Sequence, residues 1–487
     1  MRNYWFVLVA LFGIPTLGAQ TQLGLRTGAY AGVHAWSVNP AQGAHSALDW
    51  DVNLAGAAVF FSTNYAYLEN SSLAHELGRL EESTFAFSNR MSGVPVSDEL
   101  TVVQYNDTRR TYRYQSVQSI LGPAFSARIN EQWSVAVTTA MRVSSTGVNV
   151  PTALNYAKYD ERPFDLPFVV DDLQFTAMSW REIGVGVAHR IPTYQGSLSL
   201  GMTVKHLRGY EAGFLRNRSP FQMAKIPDMS FVVDRVDVDF GYTSSNLIGR
   251  DESFELTPNG AGFGLDLGVT YALEDRDGRP VFRAGAAVID IGGIRFNQNA
   301  VYHRVRSDMP AVQRYHDYDD LSSITELPEL VDRFISSATT RDAPTYRATT
   351  NAFRIGMPSV LHLQADVRPH ELFGIDALLV QNLRNDGVAI RQASLLAVTP
   401  RFEHRWGAVA VPLSLYEYDR PRVGLALRAA YLVVGTDDLG SWLFRGQLSS
   451  ADAYVALRLN SFRFGRGDGL PVHRGKRRGR RQQCYRF

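Results

Sequence analysis

Trp133-Ser134-Val135-Ala136-Val137-Thr138-Thr139-Ala140-Met141-Arg142-Val143 alternates strictly between two faces. One face reads Trp133, Val135, Val137, Thr139, Met141, Val143; the other reads Ser134, Ala136, Thr138, Ala140, Arg142. A period of two is that of a strand with unlike environments on its two sides. The length matches the roughly 9–11 residues with which a tilted strand crosses a bilayer. The same pattern recurs in residues 263–273, where Phe263, Leu265, Leu267, Val269 and Tyr271 oppose Gly264, Asp266, Gly268 and Thr270. It recurs again in residues 359–368, where Leu361, Leu363, Ala365 and Val367 oppose His362, Gln364, Asp366 and Arg368. The mid-strand charges decide the reading. Arg142, Lys205, Asp266 and Asp366 all stand opposite an apolar face. A soluble sandwich would put them in water. A membrane barrel puts them in a polar lumen and turns the apolar face to lipid. Small residues beside them, such as Gly264 and Gly268, suit a crowded interior better than open solvent.

About fourteen such segments can be marked, within the range of bacterial barrels. They lie near 47–61, 111–130, 133–146, 176–191, 198–214, 262–273, 281–296, 354–369, 373–383, 393–405, 407–418, 422–429, 431–437 and 451–462. Short connections such as 130–132, 192–196 and 369–372 alternate with long gaps at 62–110, 147–175, 215–261 and 297–353. Short turns on the periplasmic side and long loops outside are the expected asymmetry. Residues 231–242 also alternate and are read as a hairpin within the third long loop. Trp133, Trp180, Tyr271, Trp406, Tyr416, Tyr418 and Tyr454 fall near strand ends and are read as interfacial girdles. The runner-up architecture is a soluble periplasmic β-protein.

Composition agrees. The chain carries 40 Gly, 22 Tyr and 26 Phe beside nine Met, a balance that serves strands and turns rather than long helices. Met1-Arg2-Asn3 followed by the apolar run from Tyr4 to Ile14 and by Leu17-Gly18-Ala19 reads as a signal peptide over residues 1–19. The single cysteine, Cys484, excludes an internal disulfide and a thiolate zinc site. The net charge of +2 hides a division. Residues 463–487 hold nine Arg and Lys against one acid, which leaves 41 basic and 47 acidic residues elsewhere, a net of −6.

Gly32-Val33-His34-Ala35-Trp36-Ser37-Val38-Asn39-Pro40-Ala41 precedes Leu48-Asp49-Trp50-Asp51-Val52-Asn53-Leu54. This Asn-Pro-Ala triplet soon after a signal resembles the start of the FadL-like outer-membrane transporters. With Asn70-Ser71-Ser72-Leu73 and the late Val434-Gly435-Thr436-Asp437-Asp438-Leu439 and Asp452-Ala453-Tyr454-Val455, the order also resembles uncharacterised Bacteroidota outer-membrane barrels. The ending resembles barrels of type IX secretion. The resemblance implies a barrel of about fourteen strands. It also implies that the segment before the first strand folds inward as a plug, here residues 20–46 with Asn39 and Pro40 as its key positions. The barrel is then expected over 47–464 and a basic periplasmic tail over 465–487. No substrate is implied.

Neither His-Glu-x-x-His nor Gly-x-Ser-x-Gly occurs, so no enzyme is predicted, and no cofactor or metal. His316 beside Asp317, Asp319 and Asp320 reads as a solvated acidic loop rather than a calcium site. Leu327, Leu330, Val331, Phe334 and Ile335 recur at helical spacing and read as a loop helix on the rim, with a lid as the alternative; Leu73, Leu77 and Leu80 do so more weakly. Arg142, Lys205, Asp266, Asp366, Arg428 and Arg458 are expected to face the lumen, where they either line a pore or pair with one another. Arg474, Lys476, Arg477, Arg478, Arg480 and Arg481 suit a tether to an envelope polymer or protein partner, or else a solvated tail; export argues against nucleic acid. The other expected partner is outer-membrane lipid. Two functions fit: a transporter or channel for small or hydrophobic molecules, and a structural or docking barrel of the envelope.

Overall fold

The computed structural model describes residues 22–79, 84–87, 100–106, 111–151, 163–227, 230–244, 256–275, 280–308, 310–314, 345–384 and 388–460. The signal segment, the His316 cluster, the helix expected near Leu327 and the basic tail with Arg474 to Arg481 lie outside the described residues.

Fourteen antiparallel strands close into a barrel. They are β1 (Trp50–Thr63), β2 (111–128), β3 (Trp133–Pro151), β4 (Gln174–Pro192), β5 (Gly196–Asn217), β6 (Gly260–Glu274) and β7 (Pro280–Phe296). The second half is β8 (353–370), β9 (Phe373–Asn382), β10 (Leu395–His404), β11 (407–416), β12 (420–429), β13 (Leu432–Thr436) and β14 (Ser450–Asn460). Each pairs with its neighbours in sequence. β14 returns to β1, from Asp51 opposite Asn460 to Ser62 opposite Ser450. Closure leaves no unpaired barrel edge, which is what a strand structure needs in hydrocarbon.

The wall is inside-out relative to a soluble core. Lys205 is 4% exposed and Asp266 1%, whereas Phe263 is 69% exposed. Val137, Val185, Met202, Leu267, Leu363, Leu396, Leu427 and Leu457 are likewise exposed on the outer surface. This is the alternation of a transmembrane barrel. Within the bands, three of the aromatics expected at the interfaces are corrected: Trp180, Tyr416 and Tyr454 are buried and point inward. Strand parity overrides their type. Trp180 shares a face with Glu182, and Tyr454 with Asp452. Trp133, Tyr271 and Tyr418 are exposed.

The long connections gather on one side and build structure beyond the wall. Val236–Thr243 continues from β5 and pairs on with Ala300–Ser307 and then Thr345–Thr350. Two four-stranded sheets complete this outer layer. Residues 231–242 are not a hairpin. Ser230–Val233 pairs with Phe221–Ile226 and Ala311–Arg314, while Val236–Thr243 belongs to the barrel's own sheet. One alternating run thus serves two sheets, and alternation alone does not say which partner a strand takes. Leu73–Leu77 forms a short helix capped by Ser72, whose hydroxyl accepts from the His75 amide; Leu80 lies outside the described residues.

Candidate functional site

The lumen is built from the inward faces of the strands and from residues 22–48, which lie against them. Three short turns make up that segment: Leu23–Arg26, Gly32–Ser37 and Pro40–His45. Asn39 joins local and distant structure. Its Oδ1 accepts from the Ala41 amide at 2.9 Å and caps the turn that Pro40 begins. Its Nδ2 donates to the Val269 carbonyl and to Thr270 Oγ1 on β6, both at 3.1 Å. The wall is hollowed to receive it. A Cβ on Gly268 would stand 2.0 Å from Asn39 Oδ1, and one on Gly201 would stand 2.2 Å from the Ala41 amide nitrogen. Trp36 packs over Gly186 among Ala44, Ala136 and Ala188.

Polar bonds fix the segment around its circumference. The Leu23 amide donates to Asp437, the Ala29 amide to Glu403 and the Val33 amide to Asp51. Arg401 donates to the Thr27 carbonyl at 2.8 Å, Arg458 to the Tyr30 carbonyl at 2.9 Å, and His362 to the Val38 carbonyl at 2.8 Å. These partners come from β1, β8, β10 and β14, and from Asp437 just beyond β13. His34 donates to Asn53 at 3.1 Å, and His45 bonds Ser199 at 2.9 Å. Burial first, then Arg458 and Arg26, hold His34 well below the usual imidazole range. Burial, then Arg283, Arg190 and Arg128, bring His45 down to about 3. Both imidazoles are neutral in place.

Ion pairs fill the rest. Lys205 bridges Asp266 at 2.7 Å and Asp290 at 2.5 Å; Arg142 reaches Glu182 at 2.8 Å and Asp290 at 3.0 Å. Two cations here face three carboxylates. Arg26 of the inner segment adds to the same field, with Asp290 and Glu182 opposing the burial that lowers it to about 10. Asp366 pairs with Arg283 at 2.9 Å and Arg368 at 3.2 Å, and Arg401 pairs with Asp376. Arg458 meets Asp51 at 3.0 Å. A carboxylate or guanidinium buried without a partner costs several kcal/mol, so such a lumen is stable only when its charges are matched.

Of the six charged positions read as lumenal, Arg142, Lys205 and Asp266 come together in one network. Asp366 sits in a second and Arg458 in a third. Arg428 stands apart, at the short-turn end. It donates to the Arg405 and His404 carbonyls and lies 4.9 Å over the Tyr30 ring. Asp290, Glu182, Arg283 and Arg401 were not singled out in the sequence. Glu182 shares the inward face with Gly184 and Gly186, a signal strand parity carries. Asp290 has none. Up to Ile289 the odd residues of β7 point inward, which assigns Asp290 to lipid. A bulge with Asp290 at φ 56° shifts the register against β6 and turns it into the lumen.

Among the described residues, no three His, Cys, Asp or Glu side chains are placed to hold a metal ion. Between the inner segment and the wall, a cavity of about 20 Å³ remains, lined by Gly24, Thr27, Tyr30, Arg401, Arg428 and Arg458.

A family model matches residues 40–437, from the turn that Asn39 caps to the outer end of β13. The chain belongs to the family of unknown function DUF5723. A search of curated proteins finds no match. Among solved structures, this DUF5723 chain is similar to a TodX monoaromatic hydrocarbon channel carrying the deltaS2 mutation. Identity is 11%, coverage is 93% of this chain and 98% of that one, and the TM-score is 0.41. It is also similar to the toluene transporter TbuX of Ralstonia pickettii, at 9% identity, 92% and 99% coverage and a TM-score of 0.39. The toluene transporter TodX of Pseudomonas putida follows at 10%, 91% and 94%, and 0.37. The agreement is loose, and the DUF5723 fold described above stands on its own strand pairing.

Proposed function

We propose that this chain is a transport barrel of the outer membrane, and that residues 22–48 are the plug that shuts its lumen. The observation that supports this reading is the inner segment itself. It is buried and bonded to strands around the barrel, and the cavity between it and Arg401, Arg428 and Arg458 measures about 20 Å³. That cavity holds about one water molecule, and on this reading solute passes when the segment moves. A barrel needed only as a membrane anchor has no use for a folded segment bonded and packed at so many points of its wall.

The cargo of the hydrocarbon channels is not carried over. The charged networks around Lys205, Asp366 and Arg458 favour a small polar solute. The basic tail read as a docking element lies outside the described residues. Liposome swelling tests the transport reading. Proteoliposomes with the full chain are expected to admit small sugars slowly, and those with residues 22–46 deleted to admit them at least tenfold faster. A deleted barrel that still folds, shown by heat-modifiable mobility, yet admits nothing contradicts it.

A further inference from the structure

The hairpin joining β11 to β12 folds across the outer mouth and closes a cavity of about 270 Å³ against the outer ends of β1 and β2. Three arginines line it: Arg113, Arg391 and Arg420. The hairpin tip has an unfavourable sequence for its shape. Glu417 and Tyr418 both adopt left-handed backbone, at φ 52° and 57°. Two successive left-handed residues in the three-residue connection 417–419 favour Asn and Gly, because other side chains are strained there. The Glu417 carboxylate accounts for the strain. It accepts from Arg113 Nη1 at 2.9 Å, from Arg391 Nη1 and Nη2 at 2.8 and 2.9 Å, and from the Ser394 amide at 3.0 Å. A bidentate guanidinium, a second guanidinium and a backbone N–H converging on one point make the donor set that recognises a bound oxyanion. Backbone strain held at such a point is a mark of function rather than of folding.

We propose that this cavity binds a small acidic solute through a carboxylate or phosphate group, and that Glu417 occupies the oxyanion position until the solute displaces it. A second cavity of about 270 Å³ shares Arg420 with the first and provides room for the rest of the solute. It lies away from the side where Trp180, Leu207, Ile294, Phe296 and Ile355 pack the lumen with apolar side chains. The inference deepens the transport reading by naming the solute class its outer mouth takes. Binding itself is measurable whether or not the barrel conducts.

Isothermal titration of the full chain in a neutral detergent, with succinate and inorganic phosphate as separate probes, tests it. The wild-type chain is expected to bind one probe weakly. Glu417→Gln is expected to bind it about tenfold more tightly, because the internal competitor loses its charge. Arg391→Gln and, independently, Arg420→Gln are expected to weaken binding about tenfold in chains that retain heat-modifiable mobility. The preferred probe assigns carboxylate or phosphate. Failure of both wild-type and Glu417→Gln chains to bind either probe at millimolar concentration overturns the proposal, as does binding that Arg391→Gln and Arg420→Gln leave unchanged. Binding without flux counts against the transport reading alone, and flux without binding against this one alone.

Discussion

At the scale of single residues, the lumen is governed by charge balance. Lys205 is the cation that Asp266 and Asp290 share. Lys205→Met keeps most of the stem but leaves two buried carboxylates facing each other, which costs about 3–5 kcal/mol. Urea unfolding of the folded barrel in detergent reads that loss. Because Arg142 also pairs with Asp290 and partly compensates for the loss of Lys205, the Arg142→Met, Lys205→Met double variant is expected to lose more than the sum of the singles. The two histidines of the inner segment act in the opposite sense. His34 faces Arg458 and Arg26, and His45 faces Arg283, Arg190 and Arg128. Their pKa values are lower in the docked segment than the ordinary value of about 6.5. The undocked segment therefore binds more protons in that window. Docking is at full strength above about pH 6.5 and is lost as the pH falls toward about 3. Amide hydrogen exchange over residues 30–48 is expected to be faster at pH 5 than at pH 7 once intrinsic rates are corrected, with β3 to β6 unchanged. The His34→Gln, His45→Gln pair is expected to flatten that difference.

At the scale of elements, the inner segment and its glycine-lined bed form one unit. Gly201 and Gly268 have no room for a side chain beneath Pro40, Ala41 and Asn39. Gly201→Val is expected to lift the Pro40–His45 turn off β5 while the barrel closes normally, so liposome swelling rises and heat-modifiable mobility stays. The wall was legible in the sequence because period-2 alternation depends on the strand alone. Arg142, Lys205, Asp266 and Asp366 stand opposite residues made for lipid, and each lies in an ion pair. Asn39 and Pro40 were marked by the family resemblance and not by any contact the sequence shows. The Asn39 partner Thr270 lies 231 residues away on a strand no local pattern connects to it. Asp290 was illegible for a different reason: one extra residue in β7 reverses the parity on which the reading relied. Trp180, Tyr416 and Tyr454 show the same limit from the other side, because an aromatic near a strand end suits a lipid interface and a crowded lumen equally well. The cradle around Glu417 escaped notice because its arginines come from β2 and from the connection before β10 and meet only when the hairpin folds over the mouth.

At the scale of the whole molecule, the wall is a closed barrel of fourteen strands. Apolar side chains from β4, β5, β7 and β8 pack one side of its outer half, and residues 22–48 fill the part nearer the short turns. On the proposed reading the inner segment is a gate, which predicts that it shields its bed on the wall from solvent in the folded barrel. The most direct test is labelling of a single cysteine at Ala41, which is fully buried against Gly201. Ala41→Cys is placed in a Cys484→Ser background, with Tyr194→Cys, fully exposed in the turn before β5, as the positive control. With a membrane-impermeant maleimide added to the folded barrel, the cysteine at position 194 is expected to label completely and that at 41 only after heat unfolding. Complete labelling at position 41 in the folded barrel, at the rate of the control, contradicts a lumen closed by its own N-terminal segment.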